Sequence, residues 1–343
     1  MPKAQYIKVA SAPTGSRRLS QRSHRSLYRG SRLHRLRLDS AITEYLADVR
    51  ARRSMRAADR LEWLFNDFRD VCPKLFLRSI KRRDLISYMT VMRGRNLADR
   101  TIFNRMSTVL SFLRSFGVEG LLSRKDLPRY TQKSVDAYSE TEVAELLKEV
   151  DERSRAVFGF FLGTGCREQE VAYMTWSDVD LDQKIVRITA KSQWSWKPKD
   201  CEERCVPIPE WLVDTLTRLK SNSRNSLLFP NQLDQPEGHF LAKLKTLALR
   251  AGLNCGHCTN KRGLSCKDNP VCRRWSLHKF RRTFATMHHD SGVSARTLQA
   301  WLGHSNLETT LRYLRVADLR SERIRSQVDH TFAKCVLEAQ TRS

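Results

Sequence analysis

Apolar residues recur at helical spacing through the first part of the chain, from about residue 38 to residue 122. Steps of three and four residues place the apolar side chains of a segment on one face of a helix. Four segments show this pattern, and they are marked by Ile42, Leu46 and Val49, by Leu61, Leu64, Phe65 and Phe68, by Leu85, Ile86 and Met89, and by Ile102, Met106, Val109, Leu110 and Leu113. The pattern predicts a compact, all-helical domain over residues 38–122.

A polar stretch over residues 123–137 follows and is interpreted as a linker to a second domain over residues 138–318. Ser139 and Glu142 have the spacing of a capping box, which predicts the N-terminus of a helix. Ile185–Ala190 and Cys205–Ile208 have the composition of two strands joined by a long loop. The remaining apolar pattern is mostly helical, including a C-terminal tail helix within 319–343. The sequence therefore predicts a mainly α fold with a small β-sheet, of the α+β class.

The charge of the chain adds a partner to this picture. Its 62 Lys and Arg residues outnumber 37 Asp and Glu residues, which gives a formal net charge of +25. Such an excess favours a polyanionic partner, of which nucleic acid is the commonest. Residues 1–37 form a basic arm that is expected to be disordered without DNA. With no apolar run that could span a bilayer and no secretory signal, we expect a cytoplasmic, nucleoid-associated protein without a membrane partner.

Two helical segments carry residues suited to binding phosphate. The glycines of Gly163–Glu170 interrupt one helix and place Arg167 at the start of the next, where an anion is attracted. Leu277–Thr286 places His278 and Arg281 three residues apart, hence on one helix face. Each signal is weak alone, because arginines at helix starts and surface His and Arg residues are common on a basic protein.

Two further segments complete the set of candidate residues. In Trp301–Tyr313, Ser305 and Glu308 have capping-box spacing, which predicts a helix that begins just after His304 and contains Tyr313. Lys191 ends the first predicted strand, and a lysine on a hairpin can reach into a DNA groove. Taken singly, Tyr313 is an ordinary half-buried aromatic residue and Lys191 a solvated lysine. The two tryptophans that follow Lys191 either pack against DNA sugars or fold the loop, and we favour folding.

In their order along the chain, these residues closely resemble the tyrosine recombinases, the family of phage integrases and Xer-type recombinases. Three motifs match that family in sequence, order and approximate spacing, and the helical N-terminal half resembles its core-binding domain. The resemblance implies six catalytic residues, which are Arg167, Lys191, His278, Arg281, His304 and Tyr313. Because the loop after Lys191 is longer than is typical of the family, Lys197 and Lys199 remain alternatives to it.

The resemblance implies a site-specific recombinase or integrase that cleaves and rejoins double-stranded DNA through a 3′-phosphotyrosyl intermediate. It also implies a homotetramer on two DNA sites and no cofactor for catalysis. Arginines suit the phosphorane because they stay charged and bind oxygens in pairs. Free tyrosine has a pKa of about 10, so His278 is the expected base for Tyr313, and Lys191 the expected acid for the 5′-oxygen. A type IB topoisomerase and a catalytically silent DNA-binding regulator are the alternatives.

Four of the nine cysteines lie in an insert at 255–272, just before the His278 segment. They are Cys255, Cys258, Cys266 and Cys272. In a reducing compartment, four thiols this close predict a tetrahedral structural zinc site. Four buried thiols without a metal are the alternative. We expect such a site to stiffen a basic loop against DNA.

Overall fold

The computed structural model describes residues 36–52, 54–131, 136–148, 150–199, 203–221, 225–311 and 313. The predicted tail at 319–343, and the predicted basic arm up to residue 35, lie outside these ranges. The chain divides into two compact units, residues 1–132 and 133–343. No helix within the described ranges is long and apolar enough to cross a membrane.

The described part of the first unit is built from four α-helices. Their bounds are α1 Leu38–Arg52, α2 Met55–Val71, α3 Arg82–Gly94 and α4 Asp99–Ser115. The apolar stripes predicted from the sequence face one another, and Phe65 and Phe112 meet in the core with ring centroids 4.8 Å apart. Leu127, from the stretch predicted as a linker, is buried in the same core.

The described part of the second unit has eight α-helices, two short 3-10 helices and one sheet. The helices are α5 Glu140–Lys148, α6 Glu152–Thr164, α7 Glu168–Ala172, α8 Glu210–Ser221, α9 Phe240–Arg250, α10 Leu277–Asp290, α11 Ala295–Leu302 and α12 Leu307–Leu311. Strands β1 Val179–Asp180, β2 Ile185–Ile188 and β3 Arg204–Pro207 form an antiparallel sheet in the order β1-β2-β3. The predicted fold class, mainly helical with a small sheet, is confirmed.

Helix α6 lies at the centre of this unit. Phe158, Phe160 and Phe161 are all at most 1% exposed, which is typical of a helix surrounded by protein. It packs against α10, where the Phe280 ring stacks 6.0 Å from the Phe158 ring. The helix that carries His278 and Arg281 is therefore anchored in the core of the unit.

Local signals set the helix ends that position the site. The predicted capping box of α5 is present, since Ser139 Oγ accepts from the Glu142 N–H and Glu142 accepts from the Ser139 N–H. The predicted cap of α12 is wrong by one residue. Asn306, not Ser305, accepts from the Glu308 N–H. An Asn side chain bonds the N–H two residues ahead as readily as a Ser does, and this moves the helix start by one position.

Candidate functional site

Tyr313 lies just beyond α12, rather than inside that helix as the sequence pattern predicts. Its N–H donates to the Thr310 carbonyl at 2.8 Å, which closes a turn. Its carbonyl accepts from the Thr286 hydroxyl at 2.9 Å, so the turn is held against α10. Helix α12 ends at Leu311, and Tyr313 follows it in the turn. From there its phenol contacts His278.

The hydroxyl of Tyr313 lies 2.8 Å from Nε2 of His278. Partial desolvation, and then the positive charges of Arg282, Arg281, Arg167 and Lys199, lower the pKa of His278 to about 4. The imidazole is therefore neutral at pH 7, so Nε2 is free to accept the phenol proton. The pair has the geometry of a nucleophile and its general base.

His304 forms the other side of the phenol. Its ring centroid is 5.1 Å from that of Tyr313, at an interplanar angle of 70°. Nε2 of His304 lies 3.0 Å from a guanidinium nitrogen of Arg281, which can only donate, so Nε2 is the acceptor. The proton is thus on Nδ1, which donates to the Thr310 hydroxyl at 2.9 Å. Burial, and then the nearby arginines, lower the pKa of His304 to about 3, which fixes this neutral tautomer.

Arg281 is held almost entirely inside the protein, with 1% of its surface exposed. One guanidinium nitrogen donates to the Gly165 carbonyl at 2.8 Å, and the other to the Leu302 carbonyl and His304. Its Nε, also buried, has no hydrogen-bond partner among the described residues. A buried donor without a partner is costly, so this N–H is available to a bound water or ligand oxygen.

Arg167 is the second arginine of the site. Gly165, in the left-handed conformation at φ +62°, ends α6, and Arg167 is the N-cap of α7, as the sequence predicts. Nη1 of Arg167 donates to Glu170 at 2.8 Å, and Nη2 donates to the Gly303 carbonyl at 3.3 Å. Its side chain stays 22% exposed, so part of the guanidinium faces solvent. Two arginines and two neutral imidazoles thus surround one phenol.

Lys191 forms its hydrogen bonds with residues outside this group. Its ammonium donates to Asp178 at 2.6 Å and to Thr189, and 8% of the side chain is exposed. The loop after it is folded on the protein, because Trp196 stacks on Tyr173 with ring centroids 5.2 Å apart. Lys199, later in the same loop, is exposed, and its charge contributes to the low pKa of His278. Of the six residues implied by the resemblance, Arg167, His278, Arg281, His304 and Tyr313 are linked by the contacts above, and the hydrogen bonds of Lys191 go to Asp178 and Thr189.

The four cysteines of the insert do come together. Cys255 Sγ is 3.6 Å from the sulfur atoms of Cys258 and Cys266 and 3.7 Å from that of Cys272. All four sulfur atoms lie within 4.8 Å of one another. Tetrahedral Zn–S bonds of about 2.3 Å set the sulfur atoms roughly 3.8 Å apart, so the donor set fits zinc without rearrangement.

The insert lies directly before α10 and is tied to it. Trp275 is 1% exposed and donates from its indole N–H to the Leu253 carbonyl at 3.2 Å. Tyr138 stacks on Trp275 at 4.8 Å and exchanges two hydrogen bonds with the backbone of Ser276, the N-cap of α10. Arg274, one of the basic residues that precede α10, forms a salt bridge with Glu142 of α5.

Two charged residues of the site escaped the sequence analysis. Glu170 carried a signal, because it lies three residues after Arg167, the spacing of a capping box. Arg204 carried none, since it stands 34 residues from Glu170, to which it donates two hydrogen bonds. Asp178, the partner of Lys191, is likewise visible only in three dimensions.

Known proteins resemble this chain in sequence. A sequence profile described as the phage integrase family matches residues 137–320. The chain is 25% identical over 295 residues to tyrosine recombinase XerC of Pediococcus pentosaceus, covering 81% of this chain and 88% of that protein. It is 26% identical over 274 residues to tyrosine recombinase XerD of Shewanella oneidensis, covering 74% and 83%.

Solved structures share the fold. An integrase of the Tn1549 transposon, in complex with transposon right end DNA, superposes with a TM-score of 0.65 at 17% identity, covering 85% of this chain and 99% of that chain. A lambda integrase dimer bound to a COC′ core site gives 0.61 at 14% identity, covering 84% and 81%. At these identities the likeness concerns the fold alone.

Proposed function

The chain belongs to the phage integrase family, and on that premise we propose that it is a site-specific recombinase that cleaves and rejoins double-stranded DNA through Tyr313. The observation that carries the proposal is the 2.8 Å contact between the Tyr313 hydroxyl and Nε2 of His278, beside Arg167 and Arg281. A nucleophile, a neutral base and two cations held by the protein come together there, which is the set of groups that attack on one phosphodiester requires.

These positions support a reaction course whose polarity we take from the family resemblance. The Tyr313 oxygen attacks the phosphorus atom and its proton passes to His278, while the bond to the 5′-oxygen breaks. The negative charge on the non-bridging oxygens is balanced by Arg167 and by Arg281, whose buried Nε has no partner among the described residues. The product is a 3′-phosphotyrosyl ester with a free 5′-hydroxyl. A 5′-hydroxyl of another strand then attacks this ester and releases Tyr313, so the phosphodiester count is conserved and no ATP is consumed.

The leaving 5′-oxygen needs a proton, and Lys191 is our choice of acid, following the family resemblance. In the structure its ammonium is bound to Asp178, so it must leave that carboxylate to serve. Lys199 is the alternative within the same loop. A DNA substrate with sulfur in place of the 5′-oxygen needs no acid, because a thiolate leaves unprotonated. It should restore cleavage to whichever of Lys191→Ala and Lys199→Ala has lost it.

Covalent trapping tests the central proposal. On a nicked DNA substrate whose 5′-hydroxyl fragment diffuses away, the wild type should accumulate a protein–DNA adduct on a denaturing gel. Tyr313→Phe should form none while binding the duplex with unchanged affinity. Tyr130→Phe, at a tyrosine that is 40% exposed in the other unit, is the matched control and should form wild-type adduct. A wild type that binds DNA but never forms an adduct would favour the silent regulator.

The partners follow from the same proposal. The family resemblance and the net charge of +25 support double-stranded DNA as the substrate and cytoplasmic DNA as its location. Exchange between two DNA sites needs two cleaved strands at each site, and we propose a homotetramer on the paired sites. A monomer that relaxes supercoiled DNA without joining two sites would point instead to a topoisomerase.

We also propose that Cys255, Cys258, Cys266 and Cys272 hold a structural zinc ion. The sulfur spacing supports it, and four thiolates are the donor set of closed structural zinc sites. Metal analysis of pure protein should find about one zinc per chain. Cys258→Ser should lose the metal, whereas Cys205→Ser, at an exposed cysteine outside the cluster, should keep it. Wild-type protein free of zinc at high purity would refute the site.

A further inference from the structure

Arg204 is a charged residue of the site that belongs to none of the sequence motifs and has no role in the proposed chemistry. It begins β3, and 6% of its side chain is exposed. Its two terminal nitrogens donate to the two carboxylate oxygens of Glu170 at 3.0 and 2.7 Å. Glu170 is itself 1% exposed, which makes this a buried, bidentate ion pair.

Glu170 in turn holds Arg167. One carboxylate oxygen accepts from Nη1 of Arg167 and the other from the Arg167 backbone N–H, both at 2.8 Å. Burial raises the pKa of Glu170, but hydrogen bonds and charge from Arg204, and the charge of Arg167, bring it down to about 2. Glu170 is therefore a carboxylate at neutral pH, shared by two guanidinium groups. Because Arg204 shares the negative charge of Glu170, that carboxylate does not fully neutralise the positive charge of Arg167.

The same arginine also reaches the turn that leads to His304. Three consecutive carbonyls at the C-terminal end of α11 each accept from a different arginine. The pairs are Trp301 with Arg204, Leu302 with Arg281, and Gly303 with Arg167. The fit at this turn is close, because a Cβ atom on Gly303 would lie 3.0 Å from Cδ of Arg204.

We propose that Arg204 is a positioning residue for DNA cleavage, which fixes Arg167 relative to His304 by holding Glu170 and the end of α11 in one place. The inference rests on the proposed function. Arg204 does not bind the phosphate; its effect on the reaction passes through Arg167. Loss of Arg204 leaves Glu170 with a single cationic partner and removes one of the three arginine contacts to the turn before His304.

The test measures the first-order rate of adduct formation in preformed protein–DNA complexes. Arg204→Ala should slow this step about 100-fold, the scale of a lost oxyanion-binding donor, while the affinity for DNA changes less than about threefold, since no phosphate contact is lost. Arg167→Ala should slow it at least as much. The double variant should be no slower than Arg167→Ala alone, because Arg204 acts through Arg167.

Two further variants keep the test informative if Arg204→Ala folds poorly. Arg204→Met combined with Glu170→Met replaces a buried ion pair by apolar side chains, which is often neutral for stability. Because Glu170 also binds Arg167, we expect a modestly lower melting temperature than in the wild type, and cleavage should still be slow. Arg204→Lys keeps one positive charge beside Glu170 but cannot also bind the Trp301 carbonyl, so about a tenfold loss is expected.

The outcomes separate cleanly. Arg187→Ala, on the neighbouring strand and 45% exposed, is the control and should cleave like the wild type. Wild-type rates in Arg204→Lys and in the Met pair overturn the inference. Multiplicative losses in the double variant also overturn it, because they mean that Arg204 acts independently of Arg167. Failure of the wild type itself to form an adduct refutes the proposed function instead.

Discussion

The hydroxyl of Tyr138 ties the start of α10 to the rest of the catalytic unit, and Tyr138→Phe removes it alone. The residue is 2% exposed, and burial raises its pKa, so the hydroxyl is protonated at neutral pH. It donates to the Ser276 carbonyl at 3.0 Å and accepts from the Ser276 N–H at 2.9 Å. The phenylalanine ring would keep its contacts with Trp275 and Phe280.

The size of the effect follows from the groups left behind. A protein hydrogen bond contributes about 1 kcal/mol net, and an unsatisfied buried backbone group costs about 1–3 kcal/mol. Because Ser276 is only partly buried, water restores some of this loss, and we expect about 2 kcal/mol for the two bonds together. A unit of this size melts about 2–4 °C lower per kcal/mol, so its transition should fall by roughly 4–8 °C.

Scanning calorimetry of the full chain measures that shift, and hydrogen exchange of α10 peptides identifies the transition. His278 is the second residue of α10, so a frayed helix start should also slow adduct formation about tenfold, because small displacements of a catalytic group are costly. Tyr130→Phe, at an exposed tyrosine, should shift the melting temperature by less than about 2 °C. Equal melting temperatures for wild type and Tyr138→Phe would show that the two bonds do not anchor the helix.

Two more perturbations address the centre of the site. Gly165→Ala should destabilise the protein by about 2–4 kcal/mol in urea unfolding, because φ is +62° and the new Cβ would lie 2.7 Å from the Phe284 ring; an unchanged midpoint would contradict the packing. The folded protein keeps His278 and His304 neutral, with pKa values of about 4 and 3, whereas an unfolded histidine has a pKa of about 6.5. Their contribution to stability is therefore complete above about pH 6.5 and is lost as the pH falls from there toward 4 and below. Urea midpoints that stay constant from pH 8 to about 4.5 would refute this assignment.

Those parts of the site that depend on short sequence separations could be predicted from the sequence. Gly165 ends one helix and Arg167 caps the next, and His278 and Arg281 share a helix by spacing alone. The predictions are weaker where two local solutions compete. Ser305 and Asn306 can each cap α12, and the difference in energy between them is within the spread of capping preferences.

Contacts between residues far apart in the sequence could not be predicted from it. The partner of Lys191 is Asp178, 13 residues away, and the partners of Arg204 lie 34 and 97 residues away. No periodicity marks such pairs, since each depends on how elements that are separate in the sequence pack together. The chain has 62 Lys and Arg residues, so residue type alone does not distinguish a basic residue of the site from the others. Charged groups that act through other charged groups are therefore the hardest part of this site to infer from the chain alone.

The end of α11 explains how a pocket of arginines is stable before DNA arrives. Cations placed side by side in a partly buried site repel one another, and a helix C-terminus offsets this repulsion with carbonyl oxygens that carry partial negative charge. Here Trp301, Leu302 and Gly303 each hold one arginine by a single nitrogen. A guanidinium has five N–H donors, so a phosphate can bind Arg167 and Arg281 without breaking these bonds. The helix end thus holds the three arginines in place before DNA binds.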